Sequence, residues 1–287
     1  NDNRNKSFDD TLIKIADKNF RQLTSVSTGF VDKGLDFGSY SVKPINKQKV
    51  AVLSGEGTNS LSFGEIWHFF ETELKYPLTI LDSDYFSRVD FSNFDVIILP
   101  NGYYSRVLNK STLAKLKSWV QSGGTLIAID NALRRFADNK EFALKRKKSE
   151  NEDEKEPNLT PYANLERESA VNLIAGAIFK SKVDNTHPLG FGYHNEYFTL
   201  KRSSSAYDYL NSGYNVAYLP LETKNVSGFA GKNVLEKLPE TLLFGEERKG
   251  RGSIVYMVDN PLFRSFWDNG KLFFVNAVFL LNSDVLK

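Results

Sequence analysis

The run Lys49-Val50-Ala51-Val52-Leu53, closed by Ser54-Gly55-Glu56-Gly57, decides the fold class. Apolar residues without polar alternation, stopped by a glycine turn, fit a strand buried on both faces, as strands of a parallel sheet between helix layers are. Outward from it the same pattern repeats. Apolar spacing predicts a helix over 63–74, strands over 78–81 and 95–99, a helix over 111–120, a strand over 125–129 and a short helix over 132–137. Strands alternating with helices predict a mostly parallel α/β sheet covered on both faces. Ser111 is the expected N-cap of its helix, and Gly123-Gly124 its stop.

Before this unit, Leu12, Ile13, Ile15, Ala16, Phe20 and Leu23 fall at helical spacing, and residues 25–40 alternate between Gly29, Gly34 and Gly38 like a hairpin arm. After it the character changes. Lys145-Arg146-Lys147-Lys148 is followed by five acids within 150–156, so 138–161 is expected to be a mobile, solvated excursion whose opposite charges cancel. Helical spacing returns over 165–175. A β-rich part follows, with strands over 177–183, 196–200, 215–219, 227–230, 242–246 and 252–258, before an apolar helix over 271–281.

Composition narrows the function. The 287 residues carry 37 Lys+Arg against 35 Asp+Glu, a net charge of +2, so no basic field draws nucleic acid. The longest apolar stretch, 272–281, is too short to span a bilayer. There is no cysteine, which removes disulfides, thiolate metal sites and thiol nucleophiles together. The start, Asn1-Asp2-Asn3-Arg4-Asn5-Lys6, lacks an initiator Met and a signal-peptide core and reads as a cut within a longer polypeptide.

Candidate chemistry is sparse. His68-Phe69-Phe70-Glu71 has the His-x-x-Glu spacing of a zinc pair, with His187 or His194 as a nominal third ligand; it is read as a packed or hydrogen-bonded histidine in an amphipathic helix, with no metal. His194-Asn195-Glu196 has no cysteine to activate, and no Gly-x-Ser-x-Gly elbow exists. Gly55-Glu56-Gly57 is half of a dinucleotide fingerprint and lacks its third glycine. What recurs is polar residues where parallel strands end: Glu56, Asn101, and Asp130 with Asn131. Ligands gather at that edge of an open α/β sheet, although Asp130 or Asn131 would equally cap the next helix. Asp259-Asn260-Pro261 reads as a turn, and Phe263 and Trp267 as core aromatics.

Together with these strand ends, Gly64-Glu65-Ile66-Trp67-His68, Ile97-Ile98-Leu99-Pro100-Asn101-Gly102 and Gly123-Gly124-Thr125-Leu126-Ile127-Ala128 resemble the class I glutamine amidotransferase-like domain, a flavodoxin-like fold. Asp184-Asn185-Thr186-His187-Pro188-Leu189 and Val258-Asp259-Asn260-Pro261-Leu262-Phe263-Arg264 resemble the version attached C-terminally to zinc carboxypeptidases of Bacteroidetes-type bacteria. The resemblance implies a linker over 1–47 and the domain over 48–287, with the β-rich part as a C-terminal extension. At the family's nucleophile position stands Asp130, followed by Asn131-Ala132, so no thioester can form and no catalytic residue is assigned.

The implied function is a noncatalytic accessory or interaction domain of a secreted, extracellular or periplasmic metallopeptidase that removes C-terminal residues from peptides. Its partner would be the upstream peptidase domain, which alone would hold zinc, or an unidentified protein. The alternative is a small-ligand site or hydrolase at the strand ends, using Glu56, Asn101, Asp130, Asn131 and His187, with Glu56 and Asp130 as the acid–base pair. Convergence of Glu56, Asp130 and His187 in one pocket would favour it.

Overall fold

The computed structural model describes residues 5, 7–39, 42, 45–148 and 161–281. The chain forms two units, Asn1–Pro44 and Ile45–Lys287. In the first, α1 (Phe8–Lys18) places Asp9 and Asp10 in its first turn and Lys18 in its last, charges that complement the helix dipole. The expected hairpin arm does not form, since no strand occurs among the described residues of 19–39. Three glycines break the alternation into runs too short for a ladder. The segment closes on itself instead, with Phe37 N–H donating to Gly29 O and Val31 N–H to Asp36 Oδ1, both at 2.9 Å.

The second unit begins with β1 (Val50–Ser54) and α2 (Ser60–His68), which continues as a π-helical segment, Phe69–Leu74. Next come β2 (Leu78–Asp82), β3 (Val96–Leu99), α3 (Lys110–Gln121), β4 (Thr125–Ile129) and a 3-10 segment, Asp130–Arg135. Then follow α4 (Leu165–Val171), β5 (Ile174–Val183), β6 (Glu196–Lys201), β7 (Tyr214–Leu219), β8 (Asn225–Ala230), α5 (Lys232–Lys237), β9 (Thr241–Lys249), β10 (Gly252–Met257) and α6 (Asp268–Phe279).

The ten strands of the described residues share one sheet, in the order β2-β1-β3-β4-β10-β9-β7-β5-β6, with β8 also on β5. From β2 to β10 the pairs are parallel; from β10 onward they are antiparallel. The fold is therefore α/β and flavodoxin-like. The β-rich extension continues the same sheet rather than forming a layer of its own.

The apolar runs have a direct cause in burial on both faces. Val50, Val52, Ile98, Ile127, Ile129 and Met257 point to a core completed by Ile66 and Phe70 of the α2 region and by Phe273 and Phe274 of α6. Ala51, Leu53, Ile97, Leu126 and Tyr256 point to the other, completed by Leu116 and Trp119 of α3 and by Leu133 and Phe136. Gly124 lies under Trp119, where an added Cβ would come within 2.2 Å of the ring. The cap of α3 is Asn109 rather than Ser111: its Oδ1 accepts the Thr112 N–H at 3.0 Å and the Ser111 hydroxyl at 2.7 Å. Two cap-forming residues stood two positions apart, and the outer one took the backbone.

Of the expected excursion 138–161, residues 149–160 lie outside the described residues. The described part is packed, against expectation. Phe142 and Leu144 are buried in the second core, Asp138 N–H bonds Leu144 O, Lys147 N–H bonds Ala206 O, and Lys147 Nζ reaches Pro239 O at 2.6 Å. Phe142, Ala143 and Leu144 precede the basic block and give it the anchor that charge counting overlooked.

Candidate functional site

Polar groups converge where β1, β3, β4 and β10 end. Asn59 caps α2 by accepting the Ser62 N–H at 3.0 Å, and its own N–H donates to Asn101 O at 2.9 Å. Asn101 N–H donates in turn to Ser62 Oγ at 3.1 Å, so the start of α2 is tied to the end of β3. Asn101 Oδ1 then accepts Asn131 Nδ2 at 3.0 Å and Asn131 N–H at 3.3 Å, tying that end to the turn after β4. These bonds join residues far apart in the sequence, and they fix the rim of a crevice.

Asp130 stands at its floor. It leaves β4 with φ of 53°, in the left-handed region where a residue bearing a Cβ is uncommon. Its side chain does not cap the segment that follows, whose N-cap is Ile129. Oδ1 is buried and has no hydrogen-bond partner among the described residues. Burial first, and then the charge of Asp259, push its carboxyl up to about 6, against the opposing pull of Lys201, Arg134 and Arg202. Such a group changes protonation close to neutral pH.

Asp259 comes from the neighbouring strand end. β10 runs beside β4 with Met257 opposite Ile129, so the residues after each leave the sheet together. Asp259 is buried and fully engaged, with Thr199 Oγ1 donating to Oδ2 at 2.7 Å and Lys201 Nζ to Oδ1 at 3.0 Å. Both partners lie on β6, the far edge of the sheet. These two bonds join that edge strand to the end of β10.

Glu65, on the inward face of α2, completes the acidic floor. Its Oε2 accepts Asn260 Nδ2 at 2.6 Å and its Oε1 the Arg264 N–H at 2.7 Å. Burial raises its pKa against those two bonds. Arg202, Arg264 and Phe263 line the mouth of a cavity of about 100 Å³ that also contains Asn101 and Asp130. The arrangement offers a carboxyl able to exchange a proton, amide groups to orient a ligand, and cations at the entrance.

The expected site residues are therefore divided. Asn101, Asp130 and Asn131 come together. Glu56 does not join them: it is exposed and pairs with Arg106 at 2.8 Å, in a separate hollow with Ser83, Asp84 and Tyr103. The turn after β1 carries its side chain outward. His187 is buried elsewhere, with Nε2 2.8 Å from Glu246 Oε2 and Nδ1 accepting the Leu189 N–H. Glu56, Asp130 and His187 form no common pocket. Phe263, expected in a core, lines the crevice. His68 and Glu71 are both exposed.

Sequence reasoning missed Glu65, Lys201, Arg202, Asp259 and Arg264. Asp259 carried a usable signal, because it follows an apolar run just as Asp130 does. The strand order that places β10 beside β4 is what that reading lacked.

No family model matches the chain, and no curated protein matches it in sequence. Solved structures do. A ThuA-like protein from Parabacteroides merdae is 16% identical, with 82% of this chain and 89% of that one covered and a TM-score of 0.51. A ThuA-like protein from Bacteroides uniformis is 15% identical, covering 84% and 92%, with a TM-score of 0.47. A GMP synthase subunit from Thermoplasma acidophilum is 12% identical, covering 81% and 94%, with a TM-score of 0.48. The likeness to the Parabacteroides protein is one of fold.

Proposed function

We propose that the chain is an amidotransferase-like module without a thiol nucleophile, whose strand-end crevice binds a small polar ligand and exchanges a proton with it through Asp130. One observation carries the reading: a carboxylate oxygen is buried without a partner at the floor of a crevice, on a residue held in a strained backbone conformation. A buried, unbonded charge destabilises a fold, and such groups persist where chemistry uses them. With its pKa near 6, Asp130 can act as acid or base around neutrality. Thioester chemistry has no thiolate in this chain.

Small polar metabolites screened by thermal shift should yield ligands whose affinity changes with pH around an inflection near 6. Asp130→Asn keeps the shape and tolerates the backbone conformation, so it should flatten that pH profile. An unchanged profile in this variant would show that another group carries the proton. An extracellular accessory role beside a zinc carboxypeptidase domain is a further proposal, and the coding region upstream of Asn1 tests it.

A further inference from the structure

Two guanidinium groups share one aromatic ring at the crevice mouth. Arg202 Cζ lies 4.5 Å and Arg264 Cζ 5.3 Å from the centroid of Phe263. Among the described residues, neither side chain has an ion pair or a hydrogen bond. Most cations of a crevice lined with carboxylates would be neutralised by direct pairing, and these two are left available.

The backbone beside each is pinned by a buried carboxylate. Arg202 directly follows Lys201, whose ammonium is held in the buried pair with Asp259. Arg264 donates its own N–H to Glu65, and Asn260, bound to the same carboxylate, accepts the Leu262 N–H at 2.9 Å. Arg264 and Ser265 both adopt left-handed backbone, with φ of 49° and 59°. Two consecutive strained residues, fixed from a neighbouring helix, hold the arginine at the entrance. The crevice is thus polarised, with acids at the floor and available guanidinium groups at the mouth.

We propose that the ligand is a small hydroxylated oxyanion, a hydroxycarboxylate or a phosphate monoester, with its anionic group held by Arg202 and Arg264 and a hydroxyl directed to Asp130. This rests on the reading of the crevice as a ligand site. Planar guanidinium groups bind both kinds of oxyanion through paired N–H donors. A second anionic group at the floor would meet three carboxylates, whereas a hydroxyl can donate to the unpartnered Oδ1. The small cavity suits a compound of a few carbons.

Calorimetric titration of the full chain with glycerate, glycerol 3-phosphate, inorganic phosphate and neutral glycerol tests it. At least one organic anion should bind about tenfold more tightly than glycerol or more, and Arg202→Gln and Arg264→Gln should each remove about that factor. Both variants keep the backbone N–H groups, so their melting temperatures should match the native chain; Arg202→Gln serves alone if Arg264→Gln is less stable. Whether glycerate or glycerol 3-phosphate binds more tightly distinguishes the two anion sources.

Equal binding of glycerol and its anions, or anion binding indifferent to both arginine changes, overturns the proposal. Inorganic phosphate binding as tightly as the organic anions overturns the role given to the hydroxyl. Binding of glycerol alone, weakened by Asp130→Asn, overturns the anion subsite and leaves the ligand site standing. No binding by any of the four compounds overturns the anion subsite, and the pH profile of the metabolite screen then decides the ligand site by itself.

Discussion

Two carboxylates with buried oxygens, Glu246 within β9 and Asp130 at the end of β4, live in different circumstances. Glu246, on β9, is surrounded by partners: the Ser253 hydroxyl donates to Oε1, Arg248 Nε lies 3.5 Å from it, and Oε2, although it makes no hydrogen bond among the described residues, lies 2.8 Å from His187 Nε2. The Leu189 N–H donating to Nδ1 fixes the neutral tautomer with its proton on Nε2, the ring atom nearest Glu246. Burial alone would raise this carboxyl, but its interactions with His187 and Ser253 and the charge of Arg248 outweigh it and hold it below the usual range. Asp130 is less deeply buried as a residue, but its Oδ1 is buried with no partner among the described residues, and its carboxyl is pushed up to about 6. A buried charge with cationic and hydroxyl neighbours ties strands together, whereas one without such close neighbours is a standing cost that marks a place of use.

The comparison breaks most visibly at Glu246. Glu246→Ala leaves the Ser253 hydroxyl without its acceptor and takes the carboxylate away from beside His187 and Arg248, and should destabilise the second unit by about 3–5 kcal/mol. Urea unfolding of the full chain reads this; a loss near zero would mean that the pair contributes nothing to the antiparallel half. The pH dependence has a definite sign. A carboxyl lowered in the folded state stabilises above its unfolded pKa, and this contribution is lost as pH falls through the folded value.

Asp130 should behave in the opposite sense. Its folded pKa of about 6 lies above the ordinary 3.8, so the folded chain takes up a proton between these values and stability falls as pH rises through them. Asp130→Asn removes that cost and should stabilise by roughly 2–3 kcal/mol at pH 8. The gain should vanish by about pH 4, where the native carboxyl is already protonated. Denaturation curves at the two pH values check it. Destabilisation at pH 8 would show that the carboxylate makes a bond the structure does not contain.

The parallel half was legible because burial on both faces writes continuous apolar runs, as in Val50 to Leu53 and Thr125 to Ile129, and Asn101 and Asp130 follow from where those runs stop. The rest of the site depends on tertiary geometry. Lys201, on the edge strand β6, meets Asp259 after β10 although the two strands are not neighbours in the sheet. Glu65 looked like one more helix position, since which side of α2 meets the 259–265 turn depends on packing rather than spacing. His187 and Glu246 are 59 positions apart and meet through strand pairing that no local pattern encodes.

The smallest expected effect sharpens the same division at Glu56, the other acid at a strand end. Glu56 and Arg106 lie 2.8 Å apart, with side chains 69% and 86% exposed. In that setting the attraction is close to its value in water and is screened by salt, and holding two long side chains in one geometry costs entropy. Such pairs return less than about 0.5 kcal/mol, so Glu56→Gln should leave the unfolding midpoint almost unmoved at low and high salt. It should also leave the inflection near pH 6 in ligand affinity where Asp130 puts it. If Glu56→Gln weakened a ligand as much as Asp130→Asn does, the crevice would extend across the turn after β1. Burial would then be the wrong criterion for separating the acid that acts from the one that only pairs.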